Sequence, residues 1–290
     1  MGTADLVPGV SGGTIAMVLG IYERLIGSVR EGSSALGSLA KFDFEAMRTH
    51  FKQVEWSFLV PLVGAILLAV VLLASFFEHQ LEERPTVLAG LFLGLVVGSV
   101  VIAWKLIKRP EMKHFAVVVV VALALFVLLG VGEGETAADP SNLAFFGAGA
   151  LAICAMILPG ISGSLILLML GMYAPVLGAV SDRDFTTIAV FGLGAVIGLA
   201  LFSQLLNWAL EQHHDPVMAV LVGLMAGSTR VLWPWPDGVF SAEIGVPDED
   251  WLLVTVAAVV GVGLVYLISR IAADRESVSS EPQPSQPAGP

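Results

Sequence analysis

The sequence predicts an all-α membrane protein that crosses the bilayer several times. Of its 290 residues, 56% are hydrophobic and only 13% are charged, and the mean hydropathy is +0.86. A soluble domain carries about a quarter charged residues. The apolar residues also lie in long runs, and a run of about 20 is what a helix needs to cross the hydrocarbon core. Because backbone polar groups have no water to bind in lipid, helices are the expected secondary structure.

Six apolar runs are long enough to span the membrane, and they fall into two groups of three. The first group comprises residues 58–77, 86–104 and 115–132, and the second comprises residues 187–210, 217–233 and 251–269. We therefore expect about six full spans.

One sixteen-residue segment occurs twice, starting at Pro8 and again at Pro159, and eight of its positions are identical in the two copies. We call these segments the first and second motif. Each motif places Pro, Gly and hydroxyl side chains within an apolar stretch. Irregular backbone is tolerated at membrane depth only where it is buried in protein or lines a cavity. Paired interruptions of this kind indicate a transporter binding site.

The length of the apolar stretch around the second motif predicts its path. Residues 143–173 are apolar except for an interruption at Pro159–Ser164, which leaves two arms of roughly ten to sixteen residues. A straight span needs about 20 residues. We therefore predict a re-entrant helical hairpin at 143–173 and a corresponding one at 1–30. A single kinked and tilted span is the alternative.

The duplication predicts two inverted repeats. Repeat 1 would cover residues 1–113 with a hairpin, a cytoplasmic loop and two spans, followed by a linking span at 114–133. Repeat 2 would cover residues 143–235, followed by a last span at 251–270. Three full spans between the hairpins would bring them in from opposite faces. The Pro- and Ser-rich segment 277–290 is predicted to be a disordered tail.

Basic residues predict the orientation. Eleven Lys and Arg residues would lie on the side that holds the loop after the first motif, the loop after Trp104 and the C-terminus. Only three would lie on the other side, namely Arg84, Arg183 and Arg230. The first side is therefore predicted to be cytoplasmic. The same count results if the second motif spans the membrane, so the charges do not distinguish a hairpin from a span.

Two pairs of glycines predict close helix packing. Gly94 and Gly98 in the first half match Gly223 and Gly227 in the second half. Glycines four residues apart allow two helix backbones to approach closely.

The motif chemistry suits an anion. At a hairpin tip, helix N-termini present free N–H groups and a positive dipole end, and Gly lets a ligand approach the backbone. Ser11, Thr14, Ser162 and Ser164 add hydroxyl donors suited to phosphate or carboxylate oxygens. The alternative is a tight turn whose hydroxyls satisfy only its own backbone.

Few charged residues lie near the motifs. Arg230 could pair with a phosphate or extend to the membrane interface beside Trp233. Asp5, Glu23 and Arg24 flank the first motif. They could act in coupling or gating, although an acidic residue there could also mark a helix end.

Other site chemistries receive little support. Both motifs contain Gly-x-Ser-Gly, a pattern typical of intramembrane serine proteases, but such a serine needs a nearby base. All five histidines fall in loops or at span ends, and the single cysteine, Cys154, offers no metal cluster. We therefore expect no enzyme activity, no metal and no cofactor.

Three ordered segments resemble a known family: Gly2–Thr14 with Gly20–Glu23, then Pro159–Ser164, then Gly227–Trp235. They closely resemble the bacterial and archaeal polyprenyl-phosphate (undecaprenyl-phosphate) translocases, and the resemblance covers roughly residues 2–272. It implies recycling of an undecaprenyl or dolichyl phosphate carrier to the cytoplasmic leaflet, coupled to H⁺ or Na⁺.

Together, the residue chemistry and this resemblance give a hypothesis for the site. Phosphate oxygens would be held by Ser11, Thr14, Ser162, Ser164 and Arg230. Close approach to the backbone would be allowed by Gly9, Gly12, Gly13, Gly160 and Gly163. The alternative functions are a transporter or channel for a small soluble anion and, more remotely, an intramembrane serine protease.

Overall fold

The computed structural model describes residues 1–2, 11–130, 134–236, 238–239, 243–248 and 250–279. Over these residues the chain is helical and contains no β-strand. The prediction of an all-α fold is therefore confirmed.

Twelve α-helices and one short 3-10 helix are present in the described ranges. In chain order they are α1 (Gly12–Val18), α2 (Tyr22–Ala40), α3 (Phe44–Gln53), α4 (Trp56–Glu83), α5 (Pro85–Trp104), α6 (Met112–Leu128), α7 (Asn142–Ile157), α8 (Gly163–Met169), α9 (Tyr173–Ser181), α10 (Phe185–Gln212), α11 (His214–Ser228), the 3-10 helix Thr229–Leu232 and α12 (Trp251–Ser279).

Five of the six predicted spans form helices long and apolar enough to cross a bilayer, namely α4, α5, α10, α11 with its 3-10 extension, and α12. The protein is therefore a multi-pass membrane protein. The sixth, predicted at 115–132, forms α6, whose 17 residues give a length of about 26 Å at 1.5 Å per residue. Helix α6 begins at Met112, before the predicted run, and ends at Leu128, before the end of that run.

The predicted loop after the first motif is largely helical. Helix α2 continues to Ala40, and the carboxylate of Asp43 caps α3 by accepting from the Ala46 amide at 3.0 Å. Both helices are amphipathic and carry charged residues. Because the segment has no long apolar run like the spans of this sequence, it was predicted to be a loop. At the other end, α12 includes Ser277–Ser279, and the rest of the predicted tail lies outside the described residues.

The glycine pairs lie where helices contact each other backbone to backbone. A Cβ added at Gly98 would lie 3.3 Å from the Cα of Val262, so α5 packs closely on α12. One added at Gly227 would lie 2.7 Å from the carbonyl oxygen of Ala122, so α11 packs equally closely on α6. Because lipid gives no hydrophobic drive for association, such van der Waals contact is a main source of stability. The predicted close packing is confirmed.

The chain reverses direction at the second motif. A Cβ on Gly163 would lie 3.0 Å from the carbonyl oxygen of Ala152, eleven residues earlier. Further along, Leu167 packs with Ala148, and the amide of Gly134, which precedes α7, donates to Leu168 at 3.2 Å. Helices α7 and α8 are therefore antiparallel. Helix α9 then leaves at an angle of 111° to α8.

The two motifs have the same local backbone. Ser11 and Ser162 are each the N-cap of a seven-residue helix, with φ/ψ of −122°/138° and −106°/147°. Two residues after the end of each helix comes a glycine of positive φ, +69° at Gly20 and +66° at Gly171, a conformation that glycine adopts without strain. The duplication in sequence is thus a duplication in local structure, while the inverted arrangement of two complete repeats stays a prediction.

Candidate functional site

The tips of the two motifs contact each other. The hydroxyl of Ser11 donates to the carbonyl oxygen of Leu158 at 3.3 Å, and the hydroxyl of Tyr22 donates to that of Ile157 at 3.2 Å. A Cβ on Gly13 would lie 3.1 Å from the Ile157 oxygen and 3.5 Å from the Cα of Pro159. The chain therefore brings the predicted residues of both motifs to one location.

Two of the predicted hydroxyls cap their own helices. The Ser11 oxygen accepts from the Gly13 amide at 3.0 Å, and the Ser162 oxygen accepts from the Leu165 amide at 3.2 Å. This is the role that the tight-turn alternative gave them. A hydroxyl that accepts still has a proton to donate, so Ser11 also bridges to the second motif, and Ser162 pairs with the Ser164 hydroxyl at 3.0 Å.

The Thr14 hydroxyl differs from the serines. Thr14 is only 1% exposed, and its Oγ1 has no hydrogen-bond partner among the described residues. A buried hydroxyl without a partner costs about 1–3 kcal/mol. Gly12 and Gly13, which directly precede Thr14 in the first turn of α1, are buried as well. A ligand oxygen at this position would provide the missing acceptor.

The second tip rests on α11. Gly160 has a φ of +88°, and a Cβ there would lie 2.8 Å from the Cα of Met225 and 3.0 Å from the Ser228 hydroxyl. Both the backbone conformation and the space exclude a side chain. Gly163 meets α7 in the same way, because its Cβ would lie 2.9 Å from the Met156 side chain.

Arg230 lies in the 3-10 helix, two residues after Ser228. Its guanidinium carbon is 5.0 Å from the centre of the Phe126 ring, and it lies against Gly130, where a Cβ would be only 2.6 Å from the guanidinium. The end of α6 thus positions Arg230 beside the helix that supports the second tip.

Of the residues predicted for coupling or gating, Arg24 and Glu23 contact side chains from distant parts of the chain. Arg24 is paired with the Glu55 carboxylate, its Nε 2.6 Å from Oε2, and it lies 4.3 Å over the Phe58 ring. Glu23 contacts His214, with Oε1 2.9 Å from Nε2. Asp5 and Gly9 lie outside the described residues.

Tyr22 and His214 take part in these contacts, and neither was identified from the sequence. Tyr22 could have been identified, since a tyrosine occupies this position in both motifs. His214 could not, because its contact with Glu23 joins residues 191 positions apart and no periodic pattern links them.

In the part of the site that the structure describes, neither serine contacts a histidine and no group of metal ligands is present. Ser11 and Ser162 bond to backbone groups and to Ser164, whereas all five histidines make their contacts elsewhere. Within the described ranges, no group of three or more His, Cys, Asp or Glu side chains could hold a metal ion.

Comparisons with known proteins show the family to which the chain belongs. A sequence model of the family described as undecaprenyl phosphate translocase-like matches residues 1–243. The chain is 39% identical over 238 residues to a polyprenyl-phosphate transporter of Vibrio cholerae serotype O1, covering 82% of this chain and 76% of that protein. It is 30% identical over 294 residues to a polyprenyl-phosphate transporter of Staphylococcus aureus, covering 95% of each. No solved structure matches.

Both relatives are named as transporters and not as enzymes, so the prediction of a protein without enzyme activity is confirmed. The family model covers most of the chain, and the family resemblance found in the sequence is confirmed. The chain therefore belongs to the undecaprenyl phosphate translocase-like family.

Proposed function

We propose that this protein moves a polyprenyl phosphate carrier, such as undecaprenyl or dolichyl phosphate, across the cytoplasmic membrane and returns it to the cytoplasmic leaflet. The names of both relatives support this substrate. The observation that carries the proposal is the contact between the two motif tips, beside which the buried Thr14 hydroxyl has no partner among the described residues.

The phosphate would bind between the tips. Its oxygens would accept hydrogen bonds from the Thr14 and Ser164 hydroxyls and from backbone amides of both motifs, and glycines at the tips permit that approach. Ser11 and Ser162 would shape the tips as helix caps, and each would redirect its one hydroxyl proton from Leu158 or Ser164 to the phosphate. Arg230 would supply the positive charge. The isoprenoid chain would remain among the lipid chains, so its apolar surface would not have to be transferred into water.

Alternating access would use the two ends of α11. Arg230 follows one end of this helix, and His214, in contact with Glu23, begins the other. These ends are separated by 15 residues of helix, or about 22 Å. A movement of the first motif against α11 would expose the tips to one side at a time. We further propose that the basic side, with the C-terminus, is cytoplasmic, and that H⁺ or Na⁺ drives the cycle.

The test is transport by purified protein in liposomes. We expect movement of a polyprenyl phosphate between leaflets at a rate well above that of protein-free liposomes. Inorganic phosphate and a small carboxylate, offered in parallel, should not be taken up. Uptake of either soluble anion without lipid movement would replace this proposal by a soluble-anion transporter. Reaction of Ser11 or Ser162 with a fluorophosphonate would instead favour the protease.

A further inference from the structure

A second cluster of polar side chains lies where the first motif meets the start of α11. His214 is flanked by two carboxylates, with Nε2 2.9 Å from Oε1 of Glu23 and Nδ1 2.9 Å from Oδ1 of Asp215. The side chains of His214 and Asp215 are 16% and 17% exposed, whereas that of Glu23 is 59% exposed.

The hydrogen bonds of Asp215 fix its charge and position. Its two oxygens accept from the backbone amides of Lys108 and Arg109 at 3.0 and 2.9 Å. These donors come from the segment between α5 and α6, so they hold the start of α11 against that segment. A carboxyl group that accepts at both oxygens is stabilised as the anion.

Each of the two contacts of the imidazole needs a proton between the ring nitrogen and the carboxylate oxygen. A neutral imidazole has one donor and one acceptor nitrogen, and only the imidazolium donates at both. With carboxylate oxygens 2.9 Å from both nitrogens, the neutral ring would direct a lone pair at an anion. We infer that Glu23, His214 and Asp215 form a proton-binding site that fastens the first motif to α11.

Loss of this proton would release the more exposed carboxylate. Asp215 is held by two amides and keeps the remaining imidazole N–H, so the ring lone pair would face Glu23. Glu23 can turn into water, because 59% of its side chain is exposed. The neighbouring residue, Tyr22, donates to Ile157 of the second motif. Release of Glu23 therefore frees the helix that carries one of the contacts between the tips.

Other charged and titratable groups on the surrounding elements have contacts of their own. Arg24 pairs with Glu55, Glu211 accepts from Asn207, and the His213 ring lies edge-on to Trp208. Lys108 and Arg109 add positive charge to the segment that holds Asp215. Of the contacts described, only the bond between His214 and Glu23 depends on an added proton and joins the first motif to α11.

The experiment rests on the proposed function and compares pH profiles of transport. The variants are H214Q, E23Q and, as a matched control, H213Q, which changes the adjacent histidine. Between pH of about 5.5 and 8, where an imidazole changes its charge, we expect the wild-type rate of polyprenyl phosphate transport to change at least threefold. H213Q should keep this profile, and H214Q and E23Q should flatten it. A wild-type profile in H214Q would overturn the inference.

A distance measurement separates this inference from the proposed function. Spin labels at Gly37 on α2 and at Lys105 after α5, introduced as cysteines in a C154S background, report the position of α2. We expect the label distance to increase as the pH rises in the wild-type background and to be independent of pH with E23Q. A distance that does not change with pH in the wild-type background would overturn the proton-binding site. If the wild-type protein moves no polyprenyl phosphate but the distance still changes with pH, only the proposed function fails.

Discussion

The hydroxyl of Ser11 donates a hydrogen bond to the carbonyl oxygen of Leu158, 147 positions later in the chain and directly before Pro159 of the second motif. This bond joins the two copies of the repeated segment at their tips. It places the buried Thr14 and the paired Ser162 and Ser164 hydroxyls around one location.

Replacement of Thr14 by Val should separate stability from transport. Val has nearly the same shape but lacks the hydroxyl that has no partner among the described residues, so the substitution removes a penalty of about 1–3 kcal/mol. We expect an unchanged or higher unfolding temperature in detergent and at least a tenfold slower transport of polyprenyl phosphate. T255V is the matched control, because Thr255 is exposed on α12 and bonds only to its own helix. Normal transport by T14V would exclude this hydroxyl from the phosphate site.

Enlargement of Gly13 should push the tips apart. A Cβ there would lie 3.1 Å from the Ile157 oxygen and 3.1 Å from the Ser11 oxygen, closer than ordinary van der Waals contact. We expect slower transport in G13A and a larger loss in G13V, measured in liposomes. Gly37 provides the control, because nothing lies within 4 Å of its added Cβ. G37A should transport normally and should be slightly more stable, since Gly within a helix costs about 0.5–1 kcal/mol relative to Ala. Equal activity of G13V and G37A would contradict the tip contact.

Replacement of Gly227 by Leu should disrupt the pairing of α11 with α6. Its added Cβ would lie 2.7 Å from the Ala122 oxygen and 2.8 Å from the Leu125 Cβ, so the helices must separate. Overpacking of this kind costs about 1–3 kcal/mol or more, which should lower the thermal unfolding temperature in micelles. At Gly263 on α12 nothing lies within 4 Å of the added Cβ, so G263L should leave that temperature nearly unchanged. A similar decrease in both variants would mean that the effect is not one of packing.

Removal of the Arg230 guanidinium should slow headgroup transport. This side chain lies over Phe126 beside the helix that supports the second tip, and a guanidinium can hold two phosphate oxygens at once. We expect at least a tenfold loss in R230A and a smaller loss in R230K, which keeps the charge but not the planar fork. R270A serves as the control, because Arg270 contacts Tyr266 on the last helix. Full headgroup transport by R230A in liposomes would remove Arg230 from the site.

The carboxylate of Asp184 should make the start of α10 sensitive to acid. The Thr187 hydroxyl donates to it at 2.6 Å, and the amides of Thr187 and Thr186 also donate, which lowers the pKa of Asp184. A lowered pKa means that the stabilisation is complete above the usual Asp pKa of about 4. It is lost as the pH falls through the lowered value.

The measurement is the unfolding temperature in detergent between pH of about 3 and 7. In T187V, the unfolding temperature should decrease less on acidification than it does in the wild-type protein. T186V should not, because Thr186 contributes only its backbone amide. Identical pH curves for T187V and the wild-type protein would contradict the assigned cause.

Features that repeat or follow a period could be predicted from the sequence. The apolar runs gave the spans because lipid demands about 20 such residues, and the duplicated Ser, Gly and Pro gave both tips. Glycines four residues apart gave two close helix contacts. By contrast, α2 and α3 combine charges with apolar positions, and in a chain dominated by long apolar runs their helical character was missed.

Side-chain contacts between distant segments could not be predicted in this way. The sequence marks Ser11 and Thr14 equally as hydroxyls near a turn. Only the fold shows that Ser11 caps a helix and reaches Leu158, while Thr14 is buried without a partner in the described part of the chain. The same is true of His214, whose contact with Glu23 depends on where two distant helices begin.

The pairing of α5 with α12 and of α6 with α11 has a consequence for synthesis of the protein. In each pair, one helix comes from the first half of the chain and its partner from the second half. Val262, the neighbour of Gly98, is the 164th residue made after it, which takes roughly 10–30 s at a translation rate of about 5–20 residues per second. During that interval the glycine face of α5 must be held by lipid or by the insertion machinery. The nascent first half therefore waits in the membrane, incompletely packed, until the last helix has been inserted.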